Sequence, residues 1–283
     1  MRSLLGALAV AAALAAGCGP VRLLPALSSP VLAPAEVIDA HNAWADSIQH
    51  LWSRTHLKLS LPHDEEGAKP LQFDLDGHVF FEKPDCLFVH GDVLGQELIR
   101  VGMNSSRFWL WVRPRVNTVW VGKRGGAGEG ALGLMPTDLL PALGIFRITL
   151  SPGQPAGFEA WPHAYVLTES RRVDGRVVPA RRIWFDRRTL RPVRVDVFGE
   201  SGRQRLMAEL LAYEKMGNID VCTVYRARFY GDEDELDLVL TLTDGRLDKP
   251  IRPEVFEYRL PPGAKEENLD AGGKFEAPKK RGP

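Results

Sequence analysis

The chain has 283 residues, 45% of them hydrophobic, with 36 lysines and arginines set against 36 aspartates and glutamates. That length suits one large domain or two small ones. The neutral balance gives no general ground for a nucleic-acid binder, and no repeat of fixed period runs through the chain.

The first element reads as a leader. Arg2 is positive, Leu4 to Ala16 form an apolar run of signal-peptide length, and small residues Ala15, Ala16 and Gly17 precede Cys18. The run is shorter than the roughly 20 residues of a membrane-spanning helix. A cysteine after small residues resembles the bacterial lipobox, in which the thiol is acylated and the peptide is cut before it; an ordinary secretory signal, with Cys18 incidental, is the alternative. The resemblance implies a mature chain anchored at Cys18. Gly19 stands where an aspartate commonly marks inner-membrane retention, which points to the outer membrane facing the periplasm. Pro20, Pro25, Pro30 and Pro34 then rule out a regular helix and favour an extended tether. The expected organisation is a signal peptide over 1–17, anchor and tether over 18–36, a folded domain over 37–264 and a polar, disordered tail over 265–283.

Within the domain, Val37, Ala40, Trp44, Ile48, Leu51 and Trp52 fall at helical spacing and predict a helix over 37–53. The period then changes to two. Strands are expected at 108–114 (FWLWVRP), 118–123 (TVWVGK), 192–200 (PVRVDVFGE) and 235–245 (ELDLVLTLTDG). Turn signals stand at Asp76-Gly77, Asp174-Gly175, Asp244-Gly245 and 186–192. PTDLLPALGI (136–145) predicts a short helix capped by Thr137 or Asp138 and ended by Gly144. The pattern is α+β and mainly β: a large antiparallel sheet with one or two helices on its concave side. FWLWV is apolar on both faces, so it is either a central strand covered on both sides or a wall of an apolar pocket. Cys86 and Cys222 are either a disulfide or two buried thiols.

Three stretches resemble the LolA/LolB-like lipoprotein carriers and receptors of Gram-negative envelopes. GHVFFEKPDCLFV (77–89) is similar to that family's strand, Lys/Arg-Pro turn and strand; SSRFWLWVRP (105–114) to its tryptophan-bearing strand; PIRPEVFEYRLPPGA (250–264) to its closing strand. The resemblance implies a half-open, curved sheet (an incomplete barrel) closed by an N-terminal helix and a short inner helix around a lipid-sized cavity. It implies acyl-chain binding rather than chemistry, with acylated lipoproteins or envelope lipids as partners and the chain acting as a monomer. GDVLGQELIRVG (91–102) resembles the receptor loop where an exposed leucine accepts cargo and engages the membrane, which places Leu94 and Gly95 in that role. Trp44, Ile48, Trp52, Phe81, Leu110 and Trp111 are the expected cavity lining. An envelope sensor that binds a protein partner through the same fold is the alternative function.

Nothing in the chain suggests an enzyme. GxSxG, HExxH and GK[ST] are absent, the histidines lack zinc-site pairing, the glycine-rich 122–130 reads as a loop and DEDELD (232–237) as a solvated hairpin tip. No catalytic residue, metal or cofactor is expected. Arg181, Arg182, Arg187 and Arg188, within an arginine-rich run from 171 to 194, are candidates for anionic headgroup contact; solvated strand edges are the alternative.

Overall fold

A computed structural model describes residues 30–61, 63, 69–113, 117–124, 136–231 and 235–271. The chain divides into two units, Met1–Pro30 and Val31–Pro283, and every described helix and strand lies in the second. Cys18, the glycine-rich 125–130, residues 232–234 of the acidic run, and residues 272–283 of the expected tail lie outside the described residues; the first part of that tail is ordered, with Lys265–Asn268 a strand and Leu269 buried in the core.

Helix α1 spans Pro34–Ser47. Pro34 fits the first helical position, and the Glu36 carboxylate accepts the Ala33 N–H at 2.6 Å, which satisfies one of the donors a helix start leaves open. Val37, His41, Trp44 and Ala45 form its buried stripe. The helix stops six residues short of the expected 53 because HLWSRTHLKLSL alternates: Leu51, Ser53, Thr55, Leu57, Leu59 and Leu61 all face inward on strand β1, His50–Leu61.

Among the described residues, fourteen strands form one sheet. After β1 come β2 (Leu71–Glu82), β3 (Cys86–Val93), β4 (Gln96–Met103), β5 (Arg107–Val112) and β6 (Thr118–Lys123), then helix α2 (Pro136–Leu143). The second half holds β7 (Ala156–Ala160), β8 (Ala164–Val173), β9 (Arg176–Asp186), β10 (Pro192–Phe198), β11 (Gln204–Met216), β12 (Ile219–Tyr230), β13 (Glu235–Arg246) and β14 (Lys265–Asn268). The order is β14-β6-β5-β4-β3-β2-β1-β13-β12-β11-β10-β9-β8-β7, antiparallel throughout except where β14 runs parallel to β6. Its two edges, β14 and β7, do not meet, so the barrel is incomplete. α2 touches β4 and β5 on one side and β10, β11 and β12 on the other. Strands that far apart in the order reach one short helix only if the sheet curls around it.

The registers sort the connections onto two rims. Leu94–Gly95, Asp174–Gly175 and 199–202 fall on the first; Lys83–Asp85, 161–163 and 187–190 fall on the second. α1 stretches across the second rim. The Leu32 N–H donates to the Tyr165 hydroxyl (3.0 Å), Trp44 Nε1 to the Asp220 carbonyl (2.7 Å), and Lys83 pairs with Asp46 at 2.7 Å.

Two of the expected turns are not chain reversals. Asp76-Gly77 lies inside β2, where Gly77 faces Gly91 and any Cβ would collide with the His90 carbonyl. Glycine is needed there for close strand approach. Asp244-Gly245 makes a bulge where β13 slips against β1, with Asp244 at φ 54°. Both faces of β5 are covered. Phe108, Leu110 and Val112 face the main core, while Trp109 and Trp111 pack outside with Val119, Val121, Phe88, Tyr258 and Ala264. Gly102 lies beneath the Trp109 indole, and a Cβ there would strike the ring.

Candidate functional site

Inside the curl, α2 closes an apolar cavity. Leu139, Ala142 and Leu143 of the helix face Leu57, Leu59, Leu110, Phe229 and Leu238 among others, around a free volume of about 70 Å³. Among the described residues, Tyr225 is the one lining residue with a polar side-chain atom, and its hydroxyl is turned to the Cys222 carbonyl at 2.7 Å. Such a wall offers hydrocarbon contact and nothing to hold a polar ligand. Ligand pockets usually measure about 300–1,000 Å³, so a long acyl chain would have to widen this space.

α2 is fixed at both ends. At its first turn Asp138 accepts two hydrogen bonds from Arg205, at 2.8 and 2.9 Å, with the carboxylate nearly buried and the guanidinium about a quarter exposed. At its end Gly144 takes φ 72°, a left-handed conformation that stops the helix against Leu210 and Pro192. The expected short helix ends at Gly144, but it begins at Pro136, which puts Thr137 and Asp138 inside its first turn rather than at its cap. The Arg205 partner could not be anticipated, since it lies 67 residues away and no local pattern marks it.

The expected lining separates. Leu110 lines the cavity. Trp44, Ile48 and Phe81 belong to the same buried core but lie elsewhere in it. Trp52 and Trp111 face outward, a correction that follows from strand alternation. Trp52 belongs to β1 rather than the helix, and its ring meets His78 and the Arg246 guanidinium; Trp111 donates Nε1–H to Asn117 at 3.1 Å on the outer side of β5. The lining that sequence reading missed includes Leu57 and Leu59, whose signal is the alternation in HLKLSL.

Leu94 stands at the tip of the β3–β4 hairpin with its side chain fully exposed. Leu94 and Gly95 both have positive φ, 53° and 78°, as a tight hairpin turn requires. Leucine carries a steric cost there that asparagine or glycine would not.

The four arginines do not share a face. Arg181 points inward, where it binds both Glu169 oxygens at 2.7–3.0 Å and lies 4.0 Å from the Phe146 ring centre. Arg182 points outward to Thr168 and lies beside Trp184. Arg187 and Arg188 belong to the turn after β9, Arg187 over the Tyr165 ring. Alternation along β9 sends neighbours to opposite sides, which breaks the basic face that the run suggests.

His41 is fully buried among Trp44, Phe146 and Phe185. Its Nε2 lies 2.8 Å from the Phe146 carbonyl. Burial pushes its pKa down to about 4, with smaller effects of the same sign from Arg181, Arg191 and Lys83; the carbonyl acts the other way. Cys86 and Cys222 are free thiols, and burial raises Cys222 to about 11. Among the described residues, no three His, Cys, Asp or Glu side chains are placed to hold a metal ion.

No family model matches the chain, and no curated protein matches it. Solved structures do. A LolA superfamily protein from Nitrosomonas europaea aligns at 12% identity over 81% of this chain and 99% of its own, with a TM-score of 0.52. A DUF1329 family protein from Desulfovibrio piger aligns at 14% identity over 79% of this chain and 97% of its own, also with a TM-score of 0.52. At such identities the likeness is one of fold, and the chain carries an incomplete, helix-closed β-sheet of the kind those two structures have.

Proposed function

We propose that this chain is a lipid-anchored envelope protein that takes acyl chains of lipoproteins or other lipids into the cavity beneath α2, as a carrier or receptor. The observation that carries the reading is the cavity itself, lined among the described residues by apolar side chains and closed by one short helix. The fold likeness to a LolA superfamily structure supports it. Each buried methylene contributes about 0.8 kcal/mol, so about ten would supply micromolar affinity without a polar contact. Leu94, exposed on the first rim, is the side chain that meets incoming acyl chains, with about 25 cal/mol per Å² of buried apolar surface behind it. The location proposed is the outer membrane facing the periplasm, through Cys18.

The test is native mass spectrometry of the Cys18→Ser protein, purified gently from bacterial envelope extract. Acyl lipid at about one per chain is expected. A bare mass that persists after incubation with lipids and acylated peptide would refute the reading. It would favour the alternative, an envelope sensor whose interior is filled by its own side chains, to which the small free volume of about 70 Å³ lends weight.

A further inference from the structure

The chain enters the fold at one corner of the second rim. The Leu32 N–H is fixed on the Tyr165 hydroxyl at 3.0 Å, just before α1 begins. Around this point the surface changes character. Val31 is 63% exposed and Trp161 57%, which makes Trp161 the most exposed tryptophan among the described residues. The Arg187 guanidinium lies 5.1 Å from the Tyr165 ring centre and donates to the Trp161 carbonyl at 3.3 Å. Arg188 is exposed in the same turn. The Trp161 Nε1–H donates to Glu159 at 3.0 Å, and Asp186 accepts from the backbone of Arg188, so the corner is mixed in charge rather than strongly basic.

We infer that this corner, formed by Val31, Trp161, Arg187 and Arg188, rests on the headgroup layer of the membrane that holds the anchor. The inference goes beyond cargo binding and rests on lipidation of Cys18. Eleven residues separate Cys18 from Pro30; at about 3 Å per residue they span at most about 35 Å. The corner is where that span joins the fold, so it lies within reach of the bilayer. An exposed indole beside arginines, with charges of both signs around it, suits the water–lipid interface, where tryptophan concentrates and arginine meets phosphates. The same placement turns Leu94 and the first rim away from the anchoring membrane, toward arriving cargo.

The test uses the mature, lipidated protein in proteoliposomes, with a photo-reactive benzoylphenylalanine at position 162 or, on the first rim, at position 177. Illumination should give a lipid adduct at 162 and little at 177. The double variant Trp161→Ala, Arg188→Ala should lower the adduct at 162 about tenfold, as expected from losing one interfacial aromatic anchor. Equal adducts at both positions, an adduct to protein in place of lipid, or an intact mass lacking the Cys18 lipid would each overturn the inference. Bound acyl ligand measured in the same sample separates the two ideas: a filled cavity without an adduct at 162 refutes only the docking of the corner.

Discussion

Ala142 is the residue at which the cavity reading is most exposed to test. Its methyl group lines the cavity from α2, and Ala142→Leu adds three carbons to that wall. At about 0.8 kcal/mol per buried carbon the gain approaches 2.4 kcal/mol. Filling about 70 Å³ at about 24 cal/mol per Å³ gives roughly 1.7 kcal/mol. The two routes agree on about 2 kcal/mol of added stability, or roughly 4–8 °C in Tm for a domain of this size. The same carbons occupy the space an acyl chain needs, so uptake of a fluorescent fatty acid should fall at least tenfold. Urea unfolding and probe titration on the same two proteins make the comparison. A leucine variant that is destabilised by more than about 1 kcal/mol, yet takes up probe like its parent, would show that the space is not where the ligand goes.

Three other outcomes follow from particular contacts. His41 titrates near 4 when folded against an ordinary 6.5, so the unfolded chain binds more protons between those values. Its contribution is therefore complete above about pH 6.5 and declines as the pH falls toward 4, by roughly 3 kcal/mol in all. His41→Phe should flatten that part of a stability–pH curve; equal slopes would assign the acid sensitivity to other groups. Leu94→Glu should leave stability within about 0.5 kcal/mol, because the side chain is fully exposed, yet slow uptake of an acylated peptide; unchanged uptake would remove Leu94 from the mechanism. Asp138→Asn should cost about 2 kcal/mol, discounted for the partial exposure of Arg205, and should speed hydrogen exchange across 136–143 and acyl entry together. Faster exchange with unchanged entry would mean that α2 does not gate the cavity.

Much of the fold could be read in the sequence because period two is hard to mistake where it is strong. β5, β6, β10 and β13 lie within a residue or two of their expected spans, and PTDLLPAL carries both its helix and its stop. β1 was hidden because Trp44, Ile48, Leu51 and Trp52 satisfy a helical stripe while Leu51 also begins an alternation. Periodicity assigns two faces to a strand without saying which one turns inward. That missing sign misplaced Trp111, while Trp52 was misplaced by the helical stripe, and alternation divides the arginines that the run presents as one basic surface. The cover over Trp109 and Trp111 comes from Tyr258 and Ala264, about 150 residues on, a distance at which no local pattern informs.

The pairing of β1 with β13 also governs when the domain can exist at all. Trp52 stands opposite Arg246 and Leu59 opposite Leu238, so the middle of the sheet is sewn between its first strand and its thirteenth. The hairpins from β2 to β6 and from β7 to β12 can form locally, but the seam requires a loop of nearly two hundred residues to close, a slow step compared with hairpin formation. A chain that appears from its N-terminus onward holds β1 and β12 as open edges until residues 235–246 arrive. Over that interval Leu57 and Leu59 lack their neighbours Leu240 and Leu238, and the chain is most in need of protection from its own kind.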